Sequence, residues 1–227
     1  KLGMSAKRAM GAAQALYENG YITYMRTDSV ALSAQAIAAA RSLVSGRYGT
    51  EYLPRTPREY NSKSRNAQEA HEAIRPAGES FRMPEEIARE VGEDEARLYE
   101  LIWKRTVASQ MVDARMKSVT AVFDAALPGG GRAELVARGR TVLFDGYQRA
   151  YVEGSDEPEP GEKREEEEAV LPPLSNGDVA KVARSEASGH VTKPPARFTE
   201  AGLVQKLEEL QIGRPSTYAS IIGTILD

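Results

Sequence analysis

"GYITYMRTDS", residues 20–29, holds two tyrosines, an arginine, an aspartate, a serine and two threonines within ten positions. Its first half is rich in β-formers and predicts a short strand over "YITYMR", residues 21–26. Strand alternation sets Tyr24 on one face with Ile22, Arg26 and Asp28, and Tyr21 on the other with Thr23 and Met25. A phenol beside a guanidinium is the pairing that nucleophilic tyrosine chemistry on a phosphodiester needs. A free phenol has a pKa near 10, so about one in a thousand is ionised at neutral pH. An adjacent cation favours the phenolate and stabilises charge on a pentacovalent phosphorus. Tyr24 is the candidate nucleophile, and Tyr21 the packing residue.

Helical patterns surround this stretch. Before it, Ser5 caps a predicted helix over about 6–18, with Met10, Ala13 and Tyr17 on one face and Asn19-Gly20 as the stop. After it, Ser33 caps a second helix with Ile37, Ala40 and Val44 on one face. Residues 50–65 read as a polar, basic loop. "NAQEAHEAIRP" then has capping-box spacing from Asn66 to Glu69, and Pro76 as its stop. A longer helix is predicted over about 94–112, carrying Leu98, Leu101, Ile102 and Trp103. From about 117 the period changes. "KSVTAVFD", "AELVARGR", "TVLFDGYQRAY" and "DVAKVARSE" predict antiparallel strands up to about 190, interrupted by an acidic loop. Helical period returns at Thr199, with Leu203, Leu207 and Leu210 as its stripe and Gly213 as its end, and "RPST" opens another helix. The expected class is α+β. Three segments are expected: a helical one over 1–116 carrying the tyrosine, a β-rich one over 117–195 and a helical one over 196–227.

The chain has 227 residues, enough for one large domain or two small ones with real cores. It contains no cysteine, which excludes disulfides and thiolate metal sites within it. No run is apolar enough to cross a bilayer as a helix. The chain opens on Lys1, and "YASIIGTILD" stops inside an amphipathic pattern, so it reads as a piece of something longer. Its net charge of −3 hides an asymmetry. Residues 153–168 alone carry −7 and are expected to form a solvated, mobile loop, whereas residues 1–84 carry +5. The basic charge sits with the motifs, which suits a polyanionic partner.

Two further clusters can carry chemistry. In "AHEAIRP", His71 and Arg75 lie four apart and would share a helical face as a phosphate clamp, with His71 able to donate a proton. In "QIGRPSTYAS", a glycine turn leads into a helix whose first turn holds Ser216, Thr217 and Tyr218. Ser216 is the expected N-cap. The free N–H groups, the hydroxyls and Arg214 can hold a phosphate, and Tyr218 can stack on a base.

Taken in this order, "GYITYMRTDS", "NAQEAHEAIRP", "KPPARFTEAGLVQKLEE" and "IGRPSTYASIIGTI" resemble the signature segments of bacterial type IA DNA topoisomerases, the topoisomerase I (omega protein) group. The resemblance runs from residue 1 to 227. It implies a piece of a four-domain toroid: the tyrosine-bearing domain, much of the β-rich arch, and the start of a return into the region that binds single-stranded DNA. It implies that Tyr24 forms the 5′-phosphotyrosine link, that Arg26 positions the scissile phosphate, and that His71 stands at the mouth of the site. Gln14, Glu18 and Thr23 would flank that site. Arg75, Arg214, Ser216, Thr217 and Tyr218 are the remaining expected DNA contacts. Gln211 stands where the commoner motif, "GIGRPST", has glycine, which bears on the turn there.

The family's Mg²⁺ site lies in an N-terminal Toprim domain that these residues do not include, so no metal ligand is expected here, and the piece alone is expected to be inactive. The expected whole is a monomeric, cytoplasmic, ATP-independent isomerase acting on single-stranded or negatively supercoiled DNA, with no membrane association. Two alternatives stand beside it: a non-catalytic DNA-binding module with a structural tyrosine, and a member of the topoisomerase III or reverse gyrase subfamilies.

Overall fold

A computed structural model of the chain describes residues 2–60, 72–127, 129–151, 171–189, 191–192, 194–195 and 197–226. Expectations for His71, for residues 66–71 of the predicted helix and for the acidic run 153–168 fall outside them. The described residues form six α-helices and one two-stranded antiparallel sheet, an α+β arrangement. None of the helices is long and apolar enough to cross a membrane. The chain divides into two compact units.

The first unit comprises residues 1–113, 146–154 and 197–227. Its first two helices begin where their caps predict. Helix α1, Ala6–Glu18, starts at Ser5, whose hydroxyl accepts from the Arg8 amide. Helix α2, Ala34–Arg47, starts at Ser33, which accepts from Ala36. A short helix α3, Pro84–Ile87, precedes the long α4, Glu93–Ser109. Glu93, Asp94 and Glu95 occupy the first turn of α4, where acids favour the helix dipole. The core gathers Leu16 from α1, Ala36, Ala40 and Val44 from α2, Ile87 from α3 and Tyr99, Trp103 and Val107 from α4. Ile22 and Met25 of the intervening segment join it. Tyr17, expected on the buried face of α1, is instead 41% exposed, and Leu16 takes the core position. Gln110, fully buried, spends both ends of its amide on the backbone of Arg58, which ties the 53–60 loop to the end of α4.

Helix α5, Glu200–Glu209, starts at Thr199, which accepts from Gly202. Glu200 also accepts from the Ala6 amide at 2.7 Å, which links the starts of α5 and α1. Leu203 and Leu207 are half-buried and Leu210 is exposed. Helix α6, Tyr218–Leu226, follows a tight corner. It begins one residue later than an N-cap at Ser216 requires. Thr217 precedes it, and its hydroxyl turns back to accept from the Arg214 amide at 2.9 Å. Gln211 has φ +57°, the one left-handed non-glycine among the described residues, which is the physical reason a glycine suits that position. Gly213 has φ +79°, and an added Cβ would meet Ile221 Cδ1 at 2.8 Å. Opposite effects are therefore expected in urea denaturation. Gln211→Gly should raise stability by about 0.5–1 kcal/mol, and Gly213→Ala should lower it by about 1–3 kcal/mol.

The second unit comprises residues 114–145 and 155–196. Strands β1, Arg115–Ala126, and β2, Arg132–Phe144, form a long hairpin in which Ala121 faces Ala137 and Phe123 faces Leu135. The Leu127 amide donates to Gly131 across the turn. Strand structure ends at Phe144, and "GYQR" forms a 3₁₀ turn over Gly146–Arg149. "DVAKVARSE", expected as a strand, takes no regular structure and is exposed throughout. Its β-formers find no ladder partner among the described residues, and an unpaired strand is not stable in water.

Candidate functional site

Helix α1 ends at Asn19, and Gly20, with φ +74°, reverses the chain. The Asn19, Gly20 and Tyr21 amides donate to Ala15, Tyr17 and Leu16, so the exit from the helix is fixed. The predicted strand over 21–26 is not there. It is reduced to one bridge between Ile22 and Pro76. The segment's remaining backbone partners lie in the 73–77 loop. Thr23 donates its amide to the Arg75 carbonyl at 2.9 Å, and Ala77 donates to Tyr21 at 2.9 Å. The Thr23 hydroxyl donates to the Ala73 carbonyl at 2.8 Å and accepts from the Arg75 amide at 2.9 Å. Period-two alternation fails with the ladder. Ile22 and Met25, three apart, go into the core at 2% and 4% exposure, and Tyr24 and Arg26 stay outside. Tyr24 therefore does not share a face with Ile22. It is presented between two buried anchors and is 39% exposed.

Around Tyr24 stands the last turn of α1. Gln14, Tyr17 and Glu18 share one helical face. Arg26 donates to Gln14 Oε1 at 3.2 Å, and Gln14 Nε2 donates to Glu18 Oε1 at 2.6 Å. The guanidinium of Arg26, two residues after the tyrosine, is thus held against α1 by a side-chain relay on a rigid helix. The Tyr17 ring meets the Tyr24 ring edge-on, with centroids 5.2 Å apart and planes at 70°. Arg214, at the corner before α6, donates to Asp28 Oδ2 at 3.2 Å. Exposed Ser216 and Thr217 and half-buried Tyr218 lie on that same corner. Burial holds the Tyr218 phenol above its ordinary pKa. The sequence reading set Tyr17 on a face of the first helix and Asp28 on the face of Tyr24 but assigned neither to the site. Spacing from Gln14 could have flagged the first, and its place in "RTDS" the second.

Tyr21 faces another way. Its hydroxyl donates to Glu90 at 2.9 Å, and this bond and burial hold the phenol above its ordinary pKa. A phenol whose proton is kept by a carboxylate is a poor nucleophile. Arg82 pairs with Glu90 through both terminal nitrogens and lies 5.8 Å over the Tyr21 ring. Hydrogen bonds from Arg82 and then Tyr21 pull the Glu90 carboxyl down from 4.5 to about 2. A depressed folded-state pKa stabilises the fold above the unfolded value, and that stability is lost as pH falls through the folded one. Wild type should therefore resist urea better than Glu90→Gln at pH 7. The difference should shrink between about pH 4.5 and pH 2.

Arg75 was expected as a DNA contact on a helical face. Residues 72–76 form no helix, and the guanidinium turns inward, at 7% exposure. It donates to both Glu72 oxygens, at 2.9 and 3.0 Å, and to the Pro76 and Gly78 carbonyls at 2.9 and 3.2 Å. Burial opposes ionisation of Glu72, but bonds from Arg75 and Ser33 outweigh it and hold its carboxyl below the usual range. The motif thus shapes the loop that carries Tyr24, because Thr23 hangs on the Ala73 and Arg75 backbone.

Behind this loop lies a cavity of about 820 Å³, walled by Met10, Met25, Leu98, Leu101, Ile102 and Tyr147. Tyr24, Arg26, Gln14 and Glu18 are not among the residues that line it. Among the described residues no three His, Asp or Glu gather to hold a metal ion. The acids nearest in sequence to Tyr24, Glu18 and Asp28, are engaged with Gln14 and Arg214. The described residues do not by themselves fit a Mg²⁺ site.

Comparison with known proteins matches this arrangement along its whole length. The family model described as DNA topoisomerase covers residues 1–227. DNA topoisomerase 1 of Streptomyces coelicolor is 56% identical over all of this chain, which spans 23% of that relative. The Synechocystis enzyme of the same name is 54% identical, with 24% of its length covered. The structure of full-length topoisomerase I from Thermotoga maritima matches with a TM-score of 0.68 and 35% identity, over 100% of this chain and 35% of that one. The chain thus spans about a quarter of the length of the curated relatives it matches. With a family match from end to end, a solved bacterial topoisomerase I as structural neighbour, and the Tyr24–Arg26 loop braced as described, this chain belongs to the DNA topoisomerase family.

Proposed function

We propose that this chain supplies the nucleophile of a bacterial type IA DNA topoisomerase, an isomerase that relaxes negatively supercoiled DNA without ATP. The observation that carries the reading is the exposed Tyr24, fixed between the buried Ile22 and Met25, with Arg26 two residues on held by Gln14. In the forward step the Tyr24 oxygen attacks a backbone phosphorus. A Tyr24–phosphorus bond forms and the bond from phosphorus to the 3′-oxygen breaks. The phenol proton is given up and the leaving 3′-oxygen gains one. The link to the 5′-phosphate conserves the bond energy, so the reverse attack reseals the strand after passage of the other. Arg26 orients the phosphate and stabilises its developing charge.

Arg214, Ser216, Thr217 and Tyr218 form the strand-holding corner of this reading, and His71 takes the role that the resemblance gives it. Mg²⁺ is held by residues outside this chain, and no step here is routed through it. On this reading the protein works as a monomer on single-stranded or negatively supercoiled DNA in the bacterial cytoplasm. The test is relaxation of a negatively supercoiled plasmid by the longer protein containing this chain, with Mg²⁺ and no ATP. Relaxation is expected from that protein and not from the 227-residue chain alone. Relaxation by the chain alone would mean that the chemistry sits elsewhere in it. DNA binding with no relaxation by the longer protein would favour a non-catalytic binding module.

A further inference from the structure

Tyr17 has no part in the reading above, yet its ring is in contact with that of Tyr24. The core does not account for it: at 41% exposure it lies outside the face on which Ala12, Ala13 and Leu16 are buried. It sits on the outward face of α1, between the two members of the relay that holds Arg26. Its ring meets the Tyr24 ring edge-on at 5.2 Å, within the range of favourable aromatic pairs. The buried Ile22 and Met25 and the bonds of Thr23 fix the backbone at Tyr24, but a fixed backbone still leaves more than one staggered rotamer open to the ring. A second ring on a capped, rigid helix is what such a side chain needs to stay in one rotamer.

We propose that Tyr17 is a positioning residue that holds the Tyr24 ring in its attacking orientation through ring contact alone. The proposal rests on Tyr24 being the nucleophile. Adduct formation by the wild-type longer protein is therefore established first, and its absence would fail the earlier reading rather than this one. Loss of the ring leaves the phenol chemistry intact and widens the range of directions it points. Cleavage slows as a result, and DNA binding does not weaken.

The experiment measures single-turnover adduct formation on a saturating single-stranded oligonucleotide by the longer protein, its wild type beside Tyr17→Phe, Tyr17→Ala and Tyr17→Leu. The oligonucleotide Kd and the thermal midpoint are measured on each protein. Tyr17→Phe keeps the ring and should cleave within about twofold of wild type, whereas Tyr17→Ala should be about tenfold slower, with an unchanged Kd. Tyr17→Leu keeps an apolar side chain without the ring and should be slowed like Tyr17→Ala. It carries the test if alanine lowers the thermal midpoint. Wild-type rates for both ringless variants would overturn the proposal. So would a Tyr17→Phe protein as slow as Tyr17→Ala, because the hydroxyl would then be the active group. A tenfold rise in Kd with the saturated rate unchanged would overturn it as well, because Tyr17 would then be a DNA contact.

Discussion

Tyr24→Phe in the longer protein is expected to abolish the covalent protein–DNA adduct, by a factor on the order of 10⁴ or more, the scale seen when an enzyme loses its nucleophile. Only the attacking oxygen is removed. The ring remains against Tyr17, and Arg26 keeps its bond to Gln14, so binding of a single-stranded oligonucleotide should change little. Tyr21→Phe is the matched control. It cuts the bond to Glu90 but keeps the ring beneath Arg82, and most cleavage activity should survive. The assay is an end-labelled oligonucleotide run on a denaturing gel. Adducts from Tyr24→Phe and none from Tyr21→Phe would reverse the assignment of the two phenols.

Arg75→Ala is expected to lower stability more than a substitution at Tyr21, Tyr24 or Glu90. Its guanidinium makes four hydrogen bonds at 7% exposure. Removing it strands the Glu72 carboxylate, the Pro76 and Gly78 carbonyls, and the loop from which Thr23 hangs. Breaking one side of a buried pair costs about 3–5 kcal/mol. Glu72 is only half-buried, which brings the expectation toward about 3 kcal/mol, read as a lower urea midpoint. Arg75→Lys should recover little, because an ammonium cannot reproduce the two-pronged contact with Glu72. Removing both charges in Glu72→Gln/Arg75→Met should cost less than Arg75→Ala alone. A surface role in DNA binding predicts the opposite: near-native stability for Arg75→Ala and a weakened Kd.

That reversal shows where sequence reading stops. Helices α1, α2 and α5 were legible because their signals are local: Ser5, Ser33 and Thr199 each accept a bond from the amide three residues on, as cap spacing foretells. The β character from about 117 was legible from its alternation, but "AELVARGR" and the start of "TVLFDGYQRAY", read as two strands, run on as the single β2. The segment around Tyr24 was misread because its partner is a loop some fifty residues away, and a loop partner imposes no period of two. Its buried positions, Ile22 and Met25, follow from docking on α1, α2 and α4, which no local pattern encodes. For the same reason Arg75 read as a surface cation: its acceptors, Glu72, Pro76 and Gly78, come together only when residues 72–78 curl. Tyr24 and Arg26 were proposed from type and proximity alone, whereas the edge-on contact of Tyr17 with Tyr24 and the pairing of Asp28 with Arg214 show only in the fold.

The central claim is that one phenol, Tyr24, becomes covalently joined to DNA. The most direct test traps the longer protein on a labelled single-stranded oligonucleotide, digests protein and DNA, and locates the nucleotide-bearing peptide by mass spectrometry. The account predicts a phosphotyrosyl modification within "GYITYMRTDS", with fragment ions placing it on Tyr24. A modification on Tyr21, on Tyr17 or on a residue outside this chain would contradict it.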